Sequence, residues 1–219
     1  VVINPSAAYE DTVLTANYGL TNDVDGQSVS VAWQWNLNGN PLAAATGTTL
    51  DGSAFDKGDS ITVTATPNDG LEDGAPSAST AVLILNTAPS ISSVSISPAA
   101  GTEATAFTCV PAGWTDIDGD APGYTWSWAV NGAPAATTQT LDGASFDAGD
   151  SIVCTATPFD GILAGSPVVS PPVVVANSPP SIASVSISPG TGTETTVFTC
   201  LPSGWSDPDG DSPGYLYQW

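Results

Sequence analysis

The chain contains no histidine, no methionine and a single basic side chain, Lys57. Without histidine, neither a Ser-His nor a Cys-His pair can activate a nucleophile. A surface that binds phosphate groups needs lysine and arginine, so nucleic acids and anionic membrane surfaces are disfavoured as partners. We therefore expect a protein that is not an enzyme and that does not bind nucleic acid.

Long apolar runs are also missing, since none approaches the roughly 20 residues of a membrane helix. We expect no membrane insertion of this fragment. Hydrophobic residues make up 41% of the chain and charged residues 11%, which is too apolar for a disordered chain. The 22 acidic residues against one basic residue give a net charge of −21. Cations are therefore the natural small partners, although acidity can also serve solubility alone.

The chain contains three copies of one sequence pattern. The stretch FTCVPAGWTDIDGDAPGYTWSW around Cys109 returns 91 residues later as FTCLPSGWSDPDGDSPGYLYQW around Cys200, and a weaker copy spans residues 14–35. A period of this length is typical of whole domains in tandem. We predict repeats at 1–85, 86–176 and 177–219. The third stops midway through its pattern, so we expect the chain to be a piece of a longer array.

The second repeat shows short strands and no helical periodicity. Alternating apolar residues and turn-forming Gly and Pro predict about seven strands, of which the clearest lie at 91–97, 104–109, 124–130, 138–141, 151–157 and 168–175. Pro171 and Pro172 mark the last one as an edge or bulged strand. With Trp126 and Trp128 between two cysteine-bearing strands, the pattern is typical of an immunoglobulin-like β-sandwich. The predicted fold is all-β, with tandem immunoglobulin-like sandwiches arranged head to tail.

The cysteines occur in pairs by position. The second repeat has Cys109 and Cys154, whereas the first has Ala16 and Val63 at the matching places, so both are lost together. The third repeat has Cys200, and its partner would lie beyond Trp219. Joint presence and joint absence predict a disulfide between Cys109 and Cys154, and a disulfide indicates an oxidising compartment.

Acidic residues gather after the second strand of each repeat. In the second and third repeats, three aspartates alternate around a glycine. The first repeat keeps two of them, because Gln27 replaces the third. The aspartates are Asp116, Asp118 and Asp120 in the second repeat, Asp207, Asp209 and Asp211 in the third, and Asp23 and Asp25 in the first. Such loops gather the oxygen ligands that calcium prefers. The loop is not an EF-hand, because Ser127 stands where the bidentate glutamate is required. The alternative is a solvated Asx turn that binds no ion.

Further acids recur at matching places. Glu10, Glu103 and Glu194 lie in the turn between the first two strands, and Asp69 and Asp160 precede the last strand. In a head-to-tail array, the first turn of one domain faces the acidic loops of the next. We therefore expect Glu10 near Asp116, Asp118, Asp120 and Asp160. By the same argument, Glu103 should lie near Asp207, Asp209 and Asp211. The set of Asp23, Asp25 and Asp69 is a weaker candidate.

These motifs carry a resemblance to a known class of repeat. The pattern T-C-x-P-x-G-W-[ST]-D-x-D-G-D at 108–120 and 199–211, with the Leu-Asp-Gly…Phe-x-x-Gly-Asp corner, resembles tandem bacterial immunoglobulin-like, PKD-like and cadherin-like repeats of large surface or secreted proteins. The resemblance implies an extracellular, bacterial stalk, adhesin extender or fibre. It also implies calcium shared between the glutamate of one repeat and the acidic loops of the next, which stiffens the joint. The implied partners are neighbouring repeats. Independently of the resemblance, edge strands could pair side by side, so copies of the chain in a filament are a further candidate partner.

A carbohydrate-binding or adhesive module is the alternative function. Trp114 and Trp205 stand in the Gly-Trp-[ST]-Asp turn next to the acidic loop, and an exposed tryptophan can stack on the sugars of cell-surface glycans. The other interpretation is that both side chains cover the end of the sandwich.

Overall fold

The structure, a computed structural model, describes residues 1–19 and 21–219. The chain forms two compact units. Unit 1 consists of residues 1–90, 115–123 and 159–165, and unit 2 consists of residues 91–114, 124–158 and 166–219. Unit 1 therefore contains the first repeat together with two loops of the second repeat, one of which is the acidic loop around Asp118.

Unit 1 contains two antiparallel sheets. Its strands are β1 (Val2–Asn4), β2 (Leu14–Asn17), β3 (Ser30–Leu37), β4 (Asn40–Pro41), β5 (Thr49–Leu50), β6 (Ser60–Asn68), β7 (Ser77–Ala78) and β8 (Val82–Leu83). One sheet has the order β1-β2-β5, and the other has the order β4-β3-β6-β7 with β8 also paired to β6. A short 3-10 helix, Gly52–Ala54, forms the corner between β5 and β6.

The two sheets of unit 1 enclose a single apolar core. Leu14 and Ala16 of the first sheet and Trp35, Ile61 and Val63 of the second are all buried in the same cluster. The indole N–H of Trp35 donates to the carbonyl oxygen of Gly47 at 2.9 Å, so this fully buried ring leaves no unpaired donor. Two sheets that share one core make a β-sandwich.

Unit 2 repeats this arrangement, with longer counterparts of β1, β2 and β4. Its strands are β9 (Ser93–Ser97), β10 (Phe107–Ala112), β11 (Gly123–Val130), β12 (Ala133–Ala136), β13 (Thr140–Leu141), β14 (Ser151–Phe159), β15 (Val168–Val169), β16 (Val173–Val174), β17 (Ser184–Ser188) and β18 (Thr199–Ser203). The sheets have the orders β13-β10-β9 and β12-β11-β14-β15, with β16 also paired to β14, and β17 pairs with β18. The corner is again a 3-10 helix, Gly143–Ser145.

A disulfide between Cys109 and Cys154 links the two sheets of the second repeat. The Cα atoms are 5.9 Å apart, and both cysteines are fully buried beside Trp128. Tyr124, Trp126 and Val130 pack against the same core, as the alternation along this strand predicts. Cys200 is a free, half-buried thiol on β18. The all-β, immunoglobulin-like fold and the disulfide are therefore confirmed.

All six predicted strands differ from the structure in at least one bound, and two of them differ most. The predicted strand at 104–109 forms later, as β10, and continues through Pro111 to Ala112. The predicted strand at 168–175 is divided into β15 and β16, with Pro171 and Pro172 between them. Proline has no N–H to donate to a ladder, so the break falls at this pair. Within the residues that the structure describes, no helix has the length and apolarity to cross a membrane.

Candidate metal centre

Each acidic loop is folded by its first carboxylate, which accepts hydrogen bonds from the backbone that follows. Oδ1 of Asp116 accepts the N–H groups of Asp118 at 2.9 Å and Asp120 at 3.4 Å. Gly119 has a φ of 71°, a left-handed conformation that glycine adopts without steric cost. The loop therefore turns back on itself and brings its aspartate side chains toward one another.

The three carboxylates of this loop converge. Asp116, Asp118 and Asp120 each offer one oxygen, and these oxygens lie within 4.8 Å of one another, the one such group found in the part of the chain that the structure describes. Oδ2 of Asp116 and Oδ1 of Asp118 are buried and have no hydrogen-bond partner. Two unit charges at 4.8 Å repel by roughly 3.5 kcal/mol at an effective dielectric constant of 20. Such a group requires a positive partner.

Lys57, the single basic side chain, supplies positive charge at this loop. Its ammonium forms an ion pair with the Asp120 carboxylate and donates to Oδ1 of Asn86 at 3.2 Å. The hydrogen bond to Asp120 raises the pKa of Lys57 more than partial desolvation lowers it, and the charges of Asp118 and Asp116 add to the increase. Lys57 is therefore a cation throughout the neutral range.

The linker that follows the first repeat is tied to the same loop. The N–H of Thr87 donates to Oδ2 of Asp118 at 2.6 Å, and the amide of Asn86 donates to Oδ2 of Asp160 at 2.7 Å. Partial burial raises the pKa of Asp160, but the hydrogen bonds from Asn86 and from the backbone N–H groups of Leu163 and Ile162 together lower it below its ordinary value. The Asp160 carboxylate is thus held ionised by its own loop and by the linker.

Glu10 reaches this cluster through the backbone of Lys57. Its Oε1 accepts the N–H of Lys57 at 2.7 Å, while the lysine side chain extends to Asp120. The glutamate therefore fixes the turn that carries the ammonium. The converging group is made of Asp116, Asp118 and Asp120, and Glu10 and Asp160 are held by the partners just described.

The third repeat reproduces the scaffold in unit 2. Oδ1 of Asp207 accepts the N–H of Asp209 at 2.9 Å, and Oδ2 of Asp209 accepts the N–H of Ser178, which matches Thr87. Oδ1 of Asp209 is buried and has no partner. Asp211 is exposed. Oε1 of Glu103 accepts the N–H of Ala148 at 2.7 Å.

The first repeat has the same loop with fewer acids. Oδ1 of Asp23 accepts the N–H groups of Asp25 at 2.9 Å and Gln27 at 3.1 Å. Asp69 binds its own turn, and the N–H groups of Glu72 and then Leu71 lower its pKa. Asp23 and Asp69 line an open pocket of about 490 Å³ together with Glu72 and Asp73.

Trp114 and Trp205 both pack on a neighbouring tyrosine. Trp114 meets Tyr124 edge to face with ring centroids 5.6 Å apart, and Trp205 meets Tyr215 in the same way at 5.6 Å. The indole N–H of Trp205 donates to the carbonyl oxygen of Asp211 at 3.2 Å. Both tryptophans therefore pack on a tyrosine of their own repeat, and Trp205 also binds the backbone of its acidic loop.

Sequence reasoning expected the acids to meet near Asn86 but missed Lys57 and the N–H of Thr87 as parts of this cluster. The signal for Lys57 was its position: the chain's one basic residue stands in the Phe-Asp-Lys-Gly-Asp corner, which recurs as Phe-Asp-Ala-Gly-Asp at 146–150. The signal for the linker was the return of Asn86 as Asn177. Neither showed which atoms would meet.

No known protein family matches the chain, and no curated protein matches it. Similar solved structures include the FN1–FN3 domains of chicken CNTN1 (14% identity, TM-score 0.32), a Ca²⁺-stabilized adhesin that helps an Antarctic bacterium reach out and bind ice (15%, 0.34) and murine CEACAM1b (15%, 0.32). Each match covers 80% of this chain, and they cover 65%, 45% and 96% of those chains respectively. At these identities and TM-scores the similarities carry no argument about function.

Proposed function

We propose that this chain is a structural segment of an extracellular protein, namely a stalk, adhesin extender or fibre subunit built from immunoglobulin-like repeats. In this proposal calcium binds the acidic loops and limits bending where one repeat meets the next. The disulfide between Cys109 and Cys154 supports an oxidising, extracytoplasmic location. The repetition of one sandwich and one linker along the chain supports a mechanical role rather than a single chemical one.

The observation that carries the proposal is Oδ1 of Asp209, a buried carboxylate oxygen without a hydrogen-bond partner. Its equivalent one repeat earlier, Oδ1 of Asp118, has the same property. Burying an unpaired carboxylate oxygen is costly, and a hard divalent cation would offset this cost because calcium takes carboxylate oxygens as ligands. These residues therefore fit calcium.

The aspartates at 207–211 are the first ligands that we propose, because the one lysine of the chain lies at the other loop. Asp207, Asp209 and Asp211 would hold the ion. Calcium there would offset most of the negative charge of the loop and fix the linker through the bond between Asp209 and the N–H of Ser178. The weaker set of Asp23, Asp25 and Asp69 stays a prediction. So do sugar stacking by Trp114 and Trp205, lateral filament formation and bacterial origin.

The test is a calorimetric titration of the full chain with calcium, together with thermal melts in calcium and in EDTA. We expect calcium to bind and to raise the melting temperature, because a ligand that binds only the folded state stabilises it. Asp209→Asn should lose this response. Asp142→Asn, which removes the same charge at the corner helix, should retain it. Identical melts of the unmodified chain in calcium and EDTA would refute the proposal.

A further inference from the structure

The corner that follows the 3-10 helix of the first repeat differs in charge from the matching corner of the second repeat at one position. Lys57 and Ala148 occupy the same place in the repeated corner, 91 residues apart. Their backbones are held alike, since each N–H donates to Oε1 of a glutamate, Glu10 or Glu103, at 2.7 Å. The backbone conformation at this position is thus held in the same way in both repeats, and the difference is the side chain, which is lysine in one and alanine in the other.

The Lys57 ammonium binds two oxygens at the first acidic loop. The ammonium contacts the carboxylate of Asp120 and Oδ1 of Asn86. Asp116 and Asp118 complete the group whose oxygens lie within 4.8 Å of one another. A positive charge is therefore present among the carboxylates that the sequence assigns to a metal.

Around Ala148 the same scaffold has no such charge, because Lys57 is the one basic residue of the chain. The linker N–H of Ser178 still binds Asp209, as that of Thr87 binds Asp118. Oδ1 is buried and without a hydrogen-bond partner in Asp209, as it is in Asp118, so the two loops differ in the side chain at residue 57 or 148 and not in this oxygen. The convergence seen at Asp116, Asp118 and Asp120 has no counterpart at 207–211 in the described part of the chain.

We propose that Lys57 is a built-in cation that takes the place of the divalent ion at the loop of Asp116, Asp118 and Asp120. The inference rests on the proposed function, which puts calcium at the equivalent loop of Asp207, Asp209 and Asp211. The first loop is then independent of calcium, and calcium dependence belongs to the second loop.

Charge and space both support this assignment. Three carboxylates with one ammonium retain a net charge of about −2, and a lysine ammonium is a compact point charge whose three N–H groups donate to oxygen. A calcium ion at the first loop would have to displace this ammonium and meet its repulsion. No such competition exists beside Ala148.

The test exchanges the two residues in the full chain, through Lys57→Ala and, separately, Ala148→Lys. The readout is the calcium-induced shift of the backbone N–H resonances of Thr87 and Ser178, which report on Asp118 and Asp209. In the unmodified chain we expect Ser178 to respond and Thr87 not to respond. Lys57→Ala should make Thr87 respond as well, and Ala148→Lys should abolish the response of Ser178.

Two further variants keep the outcome interpretable. Lys57→Gln removes the charge while keeping a long polar side chain, and it should also make Thr87 respond if Lys57→Ala fails to fold. Adding Asp118→Asn to Lys57→Ala should remove the gained response at Thr87.

The outcomes separate this inference from the proposed function. A response of both N–H groups in the unmodified chain would overturn the role of Lys57 and leave calcium binding in place. A response of Thr87 only after Lys57→Ala, with Ser178 silent, would overturn the wild-type calcium site and support the role of Lys57. Silence of both N–H groups in every variant would overturn both.

Discussion

Gly52 and Gly143 are the residues through which the backbone positions the two site glutamates. A Cβ at Gly52 would lie 1.9 Å from the carbonyl oxygen of Glu10, and one at Gly143 would lie 1.8 Å from that of Glu103. No side chain fits these distances. The corner helix therefore packs directly on the glutamate backbone, and this packing places each carboxylate at the N–H of residue 57 or 148.

We expect Gly52→Ala to lower the free energy of unfolding by roughly 1–3 kcal/mol, as overpacking does at other close contacts. Urea unfolding of the full chain measures the change. The matched control is Gly47→Ala, whose Cβ would meet its nearest neighbours in Thr49 at 3.9 Å and should leave stability nearly unchanged. Equal stability of Gly52→Ala and the unmodified chain would contradict the close approach.

At the residue scale, the sequence identifies the acidic residues of the loop, but it does not identify the side chains that bind them. The Asp-x-Asp-Gly-Asp spacing identifies the loop because the turn depends on contacts between residues 116 and 120, which are near in sequence. The ion pair of Lys57 with Asp120 joins residues 63 positions apart. Only the folded chain brings these two side chains together, so no local pattern reveals the pair.

Among the elements, the strands with alternating apolar residues are the ones that the sequence predicts well. β14 begins at Ser151 as predicted, and its buried residues Ile152, Cys154 and Ala156 alternate with half-buried ones. The two-residue strands β13, β15 and β16 depend on their sheet partners for their bounds. A strand this short has no periodicity of its own, which is why its ends could not be predicted.

The disulfide joins β10 of one sheet to β14 of the other across the core. In the chain-entropy model, closing the loop of 45 residues stabilises the fold by about 4 kcal/mol. We expect the double variant Cys109→Ala with Cys154→Val, which copies Ala16 and Val63 of the first repeat, to lower the melting temperature of unit 2. Thermal unfolding measures it.

Cys200→Ser is the control for that variant, because Cys200 is a free thiol and its loss should leave the melt unchanged. A double variant that melts with the unmodified chain would mean that the apolar core, and not the cross-link, holds the two sheets together.

For the whole molecule, charge of one sign is the dominant electrostatic feature. A net charge of −21 with one basic side chain means that nearly all carboxylates lack a cationic partner in the chain, and self-repulsion of like charges destabilises a compact state. The immunoglobulin-like sandwich follows from apolar patterning and not from ion pairs. This explains why the fold is predictable from strands alone, while the cation that balances the acids is not.

We expect monovalent salt to raise the melting temperature of the full chain in EDTA. The Debye length falls from about 30 Å at 0.01 M to about 10 Å at 0.1 M, so salt screens many repulsive pairs and weakens the single attractive pair of Lys57. Sodium chloride and tetramethylammonium chloride should act alike, since screening does not depend on ion identity. A melting temperature that falls with added salt would show that attraction dominates.

The turn at Lys57 also bears on how proteases can cleave the chain. Proteases of the trypsin type cleave after lysine or arginine, because a carboxylate in their specificity pocket binds the basic side chain. This chain offers them one bond, between Lys57 and Gly58. The N–H of Lys57 is bound by Glu10, the N–H of Gly58 donates to the carbonyl oxygen of Ile84 at 2.9 Å, and the lysine side chain is occupied by Asp120. The lysine that pairs with the first acidic loop is thereby held in place at the chain's one tryptic cleavage site.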